Sequence, residues 1–166
     1  MVAAHAQAVL AFERRNRDWF ARAVTDRGDA FFAGFDADFA ALLAEQDAGG
    51  AAFHLLLDDD GSILGRFNLR RIRDGGADLG YRVAEAAGGR GVATLGVGLL
   101  CARAASEHGV QRLRAAAADA NPASVRVLLK NGFVRTGEAD AADLGGAAGA
   151  WYLRRLDAEE RTSATA

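Results

Sequence analysis

The spacing of apolar positions along this chain changes period several times, and the changes mark out its elements. Through residue 48 the spacing is helical. Phe12, Trp19 and Phe20 stand at i, i+7 and i+8, and Phe35, Phe39, Leu42 and Leu43 at i, i+4, i+7 and i+8. Thr25 to Ala30, with its Asp-Arg-Gly-Asp, interrupts this pattern as a loop, and Gly49-Gly50 ends it. Alternation then takes over. Phe53, Leu55 and Leu57 predict a strand, Asp58-Asp59-Asp60-Gly61 a hairpin turn, and Ile63, Phe67 and Leu69 the returning strand. Asp74-Gly75-Gly76 turns the chain again into a third strand over Leu79 to Ala84, so the middle of the chain is an antiparallel meander.

Beyond Gly88-Gly89-Arg90-Gly91 the period is helical to His108, with Gly109 at the C′ position. Residues 112–118 predict a strand. Asn121-Pro122 then opens a helix with asparagine as cap and proline at the first helical position, and Asn131-Gly132 closes it. Phe133 to Gly137 and Trp151 to Leu156 predict two last strands, joined through the glycine-rich stretch Leu144 to Ala150. Helices, a three-strand meander, helix, strand, helix and two strands make a mixed α/β layout in one domain, residues 1–158, with 159–166 as a frayed tail.

Composition narrows the function classes. With 166 residues, 51% of them apolar, the chain can build one real core. A net charge of −2 and the lack of a basic stretch interleaved with aromatics argue against nucleic acid or an anionic membrane as partner. Arginine supplies almost all the basic charge, Lys130 being the single lysine. The lone Cys101 excludes an internal disulfide and is expected to be buried and inert within its helix; His5, His54 and His108 are too scattered for a metal motif. The aspartates at 58–60 are not followed by the remaining ligands of a calcium loop, so no metal is expected. The longest apolar run, Val92 to Ala102, is too short to span a bilayer, and no basic region precedes an apolar core at the N-terminus; the expectation is a soluble cytoplasmic protein.

The informative segment runs from Gly80 to Phe133. A strand containing Tyr81, Arg82 and Val83 leads into Gly88, Gly89, Arg90, Gly91, Val92, Ala93 and Thr94 at a helix start. Unpaired N–H groups at the positive end of a helix dipole bind phosphate, glycines allow close approach, and Arg90 adds charge. A plain strand-to-helix turn would read the same way. The loop is neither a Walker loop nor a dinucleotide fingerprint.

Gly80-Tyr81, then Gly88-Gly89-Arg90-Gly91-Val92-Ala93, then Asn121-Pro122-Ala123-Ser124, then Gly132-Phe133 resemble, in order and spacing, the GNAT superfamily of N-acetyltransferases. Within it they are similar to the branch of ribosomal-protein N-terminal (Rim-type) acetyltransferases. Weaker similarity covers Gly65-Arg66-Phe67-Asn68-Leu69 and Phe12-Glu13-Arg14-Arg15-Asn16-Arg17. Two departures stand out. Gly88 occupies a position that is arginine or glutamine in the family, and the chain begins almost inside its first helix, where relatives carry a strand. Here that strand is either very short, around Met1 to Ala4, or missing.

The resemblance implies a mostly antiparallel sheet of six to seven strands flanked by about four helices and splayed between the fourth and fifth strands. It implies acetyl-CoA as co-substrate, with pantetheine in the splay, and direct attack of an amine on the thioester. Arg82 and Val83 would edge the slot, a fourth-strand N–H would polarise the thioester carbonyl, and Gly88 to Thr94 would take the pyrophosphate. Asn121 would bond the pantetheine, or serve as a plain helix cap. Ser124 is the candidate acid for the leaving thiolate, or an ordinary first-turn serine; Asp78 is the candidate base, or a solvated hairpin carboxylate. His54 is a packed or surface histidine rather than a base. Arg17, Trp19 and Phe31-Phe32-Phe35 line the acceptor side or belong to the core. The acceptor would be a small-molecule or peptide amine, and many relatives are homodimers. The alternative is a CoA-binding module with little catalytic activity.

Overall fold

A computed structural model describes residues 1–156; the tail assigned to 159–166 lies outside the described residues. The helical N-terminal region divides into α1 (Ala6–Arg15), α2 (Arg17–Ala21), α3 (Gly28–Ala33) and α4 (Phe35–Asp47). Asn16 and Gly34, both off helical geometry, make the breaks. The described residues therefore form six α-helices rather than about four, and the loop expected over Thr25 to Ala30 gives way to α3 at Gly28. The meander follows as β1 (Ala51–Leu57), β2 (Ile63–Arg73) and β3 (Gly76–Val83). After it come α5 (Val92–His108), β4 (Arg112–Ala118), α6 (Pro122–Lys130), β5 (Val134–Glu138) and β6 (Gly149–Arg155).

Residues 3–5 form a single 3₁₀ turn, not a strand, so the described sheet has six strands, in the order β1-β2-β3-β4-β6-β5. The splay counted between the fourth and fifth strands consequently falls between the third and fourth of this chain. All pairs are antiparallel except β3 with β4, which are parallel and in register only over Gly76–Asp78 against Arg112–Arg114. Past those residues the two strands part.

Alternation along the strands separates two layers. Ala52, Phe67, Leu69, Leu79, Leu113 and Ala115 meet Val97, Leu100 and Leu128 of α5 and α6 in the main core. Helix α5 lies so close to β2 that a Cβ on Gly96 would sit 2.1 Å from the Phe67 ring. Any side chain there would push the helix off the sheet. On the other face, Val9 and Leu10 of α1 pack with Phe35 and Phe39 of α4, and Phe12 with Phe20. Helix α4 contacts β1, and α1 contacts β2.

One ionic group stands inside this second layer. Glu13 of α1 is 1% exposed and accepts hydrogen bonds from Arg66 of β2, itself 3% exposed, and from Arg82 of β3 at 3.1 Å. Arg27 approaches the same carboxylate at 3.9 Å. Desolvation makes such a group costly, and removing one partner strands the other. Glu13→Ala should therefore lower unfolding free energy by about 3–5 kcal/mol. Glu13→Leu combined with Arg66→Met should recover most of that loss. Chemical denaturation of the three proteins measures this; a Glu13→Ala loss under about 1 kcal/mol would deny the group a structural role.

Candidate functional site

The connection from β3 to α5 is built from its glycines. Gly89 and Gly91 have φ of +73° and +79°, in the left-handed region that L side chains avoid, and a Cβ at either would meet no protein atom within 4 Å. Gly91 caps α5, and the first intrahelical bond runs from Leu95 N–H to Gly91 O at 3.0 Å. The N–H groups of Val92, Ala93 and Thr94 are thus left at the positive end of a seventeen-residue helix, beside the exposed Arg90. At Gly88, where the family pattern has a long side chain, a Cβ would lie 3.0 Å from Glu85 O and 3.7 Å from the Trp19 ring. The Glu85 carbonyl is the tight contact, and the indole lies at ordinary packing distance.

Trp19 also fixes the strand end. Its indole N–H donates to Val83 O at 3.1 Å, while Asn16 accepts from Glu85 N–H at 2.9 Å and donates to Phe12 O at 2.9 Å. Helices α1 and α2 thereby hold the start of the loop.

The gap between β3 and β4 has a readable hydrogen-bonding face. Ala84 N–H donates to Leu64 O and Gly75 O accepts from Arg112 N–H. By antiparallel alternation, the backbone groups of Arg82 therefore turn toward β2 and those of Tyr81 and Val83 turn into the gap. Across it, Leu156 N–H donates to Gln111 O, which by the same alternation turns the backbone of Ala116 toward β3. The strand that borders the gap ends in four alanines, residues 115–118. They are weak β-formers, and their small side chains leave the opening clear.

Where the gap faces α6, two hydroxyls meet: Tyr81 Oη lies 3.0 Å from Ser124 Oγ. Burial raises the Tyr81 phenol, an effect only partly offset by its bond to Ser124, so it stays protonated at neutral pH. Ser124 N–H donates to Asn121 Oδ1 at 3.0 Å, which makes Asn121 the cap of α6 and keeps Ser124 in its first turn. Tyr81 was not among the residues given a role. Its motif position was visible in the sequence, but its contact with a residue 43 positions later was not.

Two predicted residues lie elsewhere than expected. The Arg82 side chain turns to the α1 side, bound to Glu13 and 5.0 Å above the Phe20 ring, so of the pair Arg82–Val83 it is Val83 whose backbone edges the gap. Burial, with nearby Arg27, lowers the Arg82 guanidinium to about 10. Asp78 lies at the closed end of the gap, and strand alternation puts it on the face opposite Tyr81. It accepts from Arg114 at 3.1 and 3.2 Å and from Arg71. Burial alone would raise this carboxyl, but the two arginines outweigh it and hold it below the usual range. Such a carboxylate has little tendency to take a proton from an amine, which argues against Asp78 as the base. Cys101 is buried in α5, as expected. Among the described residues no group of three or more His, Cys, Asp or Glu is placed to hold a metal ion, and no helix is long and apolar enough to cross a membrane.

The acetyltransferase (GNAT) domain family matches residues 2–134 of this chain. No curated protein sequence matches it. Many solved structures share the fold, three acetyltransferases among them. A ribosomal-protein-S5-alanine acetyltransferase from Vibrio fischeri is 22% identical, with TM-score 0.86 over 95% of this chain and 91% of its own. RimL, a ribosomal L7/L12 alpha-N-protein acetyltransferase in complex with coenzyme A, is 19% identical, with TM-score 0.83 over 95% and 92%. Mycobacterium smegmatis RimJ, in complex with CoA-disulfide, is 19% identical, with TM-score 0.82 over 98% and 81%.

If the glycine loop takes a pyrophosphate, Gly91→Val should weaken CoA binding at least tenfold in calorimetric titration. Its side chain would project into open space over the α5 amides, while the left-handed backbone costs only about 1–2 kcal/mol of stability. A folded variant that binds CoA as well as the parent would remove the loop from the site.

Proposed function

Because this chain belongs to the GNAT acetyltransferase family, we propose that it transfers an acetyl group from acetyl-CoA to a primary amine, on a peptide N-terminus or a small molecule. The observation that carries this reading is the gap between β3 and β4, next in the chain to the unpaired N–H groups at the start of α5. On this reading, Val92, Ala93 and Thr94 N–H with Arg90 receive the pyrophosphate, while Gly88, Gly89 and Gly91 keep the approach clear. The pantetheine arm lies in the gap, where Tyr81, Val83 and Ala116 offer backbone groups that lack a strand partner. Asn121, whose Oδ1 is engaged in the cap, retains its amide N–H₂ as a donor toward the arm.

Chemistry requires an amine, a polarised thioester and a proton for the departing thiolate. A backbone N–H of Tyr81 or Val83 facing the gap is a fixed donor for the carbonyl oxygen; loss of such donors elsewhere costs about 3–4 kcal/mol of barrier. Ser124 supplies the thiolate's proton and regains one from Tyr81, whose phenolate is reprotonated from solvent before the next turnover. Because α5 and α6 occupy one side of the gap, the amine approaches from the other. Its proton leaves to water there, since Asp78 is held by its arginines. Proximity and orientation supply much of the remaining acceleration. Solved neighbours that acetylate ribosomal proteins support a polypeptide acceptor.

Two measurements test the proposal. Calorimetric titration with acetyl-CoA should give micromolar binding, and free thiol should appear when an amine is added. Binding without thiol release across a panel of amines would leave a CoA-binding module instead. Ser124→Ala should lower kcat on the order of 10²-fold and leave CoA affinity nearly unchanged. Tyr81→Phe should do the same, and the double variant should lose no more than either single one, as expected of groups acting in series. Additive losses, or a Ser124→Ala enzyme with full turnover, would return Ser124 to the role of a plain helix residue.

A further inference from the structure

A second concavity, of about 310 Å³, lies at the closed end of the gap. The β2–β3 hairpin and the first residues of β4 line it, and Leu153 of β6 completes it. Four arginines, Arg71, Arg73, Arg112 and Arg114, face two carboxylates, Asp74 and Asp78, so the groove has two positive charges in excess within a chain of net charge −2.

Its arginines are arranged by the backbone. The β2–β3 register runs regularly to Arg70 opposite Asp78, then shifts before Arg73 opposite Gly76. Within this bulge Arg71 has φ of +54°, and Asp74, at the turn, φ of +51°; neither is a glycine. A bulge re-aims the side chain it displaces, and strain of this kind gathers at binding sites. Here it brings the Arg71 guanidinium onto Asp78, which Arg114 grips from β4. Each of these guanidiniums uses Nε and one terminal nitrogen on Asp78, leaving the other terminal nitrogen for an outside acceptor. Arg112 donates to Asp74 O at 2.8 Å, Arg73 is exposed with no ion-pair partner among the described residues, and Arg114 lies 3.9 Å over the Trp151 ring. Preset guanidinium forks of this kind match carboxylates.

Asp78 is the last paired residue before the strands separate, and Tyr81 and Val83 follow three and five residues on. At about 3.3 Å per residue, the groove is roughly 10–17 Å from the backbone groups that face the gap. An extended acceptor chain with its amine in the gap reaches the groove with its third to fifth residues. A polyanion such as RNA suits the groove poorly, since Asp74 and Asp78 stand within it and the chain as a whole is acidic.

We propose that this groove binds acidic side chains at the third to fifth positions of a polypeptide acceptor, so that the substrate class is a protein or peptide with an acidic N-terminal segment. The proposal rests on the acetyltransferase reading given above. Its test uses fluorescein-labelled, N-terminally acetylated decapeptides, which need no turnover, with glutamate, alanine or lysine at positions three to five. By fluorescence anisotropy the glutamate peptide should bind at least tenfold tighter than the alanine one, and the lysine peptide weakest. Added salt should shrink the difference. Arg73→Glu with Arg112→Glu should abolish the preference while leaving CoA affinity unchanged. Arg73→Gln with Arg112→Gln, the milder pair, should reduce it in a protein that melts like the parent. Equal binding of the three peptides, equal loss for all of them in the variants, or tighter binding of a single-stranded RNA that displaces the glutamate peptide would overturn the proposal. Glutamate-peptide preference without CoA binding would sink the acetyltransferase reading but leave the groove as a peptide site. CoA binding and thiol release without that preference would sink the groove alone.

Discussion

Strands β3 and β4 are held together over three residues and then separate, and the rest of the molecule is arranged around that separation. Open backbone groups inside a sheet are costly unless something bonds them. Two of them are met from the chain itself: Val83 O by the Trp19 indole, and Ala118 O by Asn121 N–H at 2.9 Å. The groups of Tyr81 and Ala116 between these points have no strand opposite them. A ligand with alternating amide donors and acceptors, as pantetheine has, suits such a gap better than a side chain would. The glycine-rich turn into α5 follows directly on the strand that borders this gap, and the hydroxyl pair joins the same strand to α6.

A gap in the middle of a sheet needs rigid borders, and the Glu13 group supplies one of them. It joins α1 to β2 and β3 behind the gap through charged hydrogen bonds rather than through packing alone. Arg66 of β2 and Arg82 of β3, both bound to one carboxylate of α1, tie the helical layer to the sheet, and α1 in turn carries Asn16 to Glu85 at the start of the loop. Apolar replacements could match its contribution to stability. They would not offer the same directional tie between Arg82 and the helix, and that tie sets the strand end from which Val83 faces the gap.

What the sequence made legible was local. Gly91 and Gly109 at the two ends of α5, Asn121-Pro122 at the start of α6 and the aspartate-glycine turns of the meander each announce their conformation within a few residues, and the structure has all of them. The single-turn start at Ala3 and the break at Gly34 were less legible, because short helices in this region are set by packing against β1 and β2 rather than by propensity. The turn into α5, Gly88 to Thr94, was legible because one segment supplies it. Not legible were the places where distant segments meet: Tyr81 with Ser124, Glu13 with Arg66 and Arg82, Arg71 with Asp78. Asp78 shows the difference most clearly. Its position in the chain suggested a base, but two arginines, one carried by a bulge and one by a parallel neighbour, turn it into an anchor.

Within the described sheet, β1 is the meander edge and the strand farthest from the gap on that side. The elements that surround the gap, β3, β4, α5 and α6, contact one another without it. Chemistry that depends on the gap therefore tolerates variation at the β1 edge. The opposite half of the sheet is different. There β6 closes onto β4 so tightly that a Cβ on Gly149 would lie 2.3 Å from Ala117 O. A side chain at that position would displace β4 and change the width of the gap directly. The constraint on sequence should accordingly be strongest along β3, β4 and the start of β6, and relaxed toward β1.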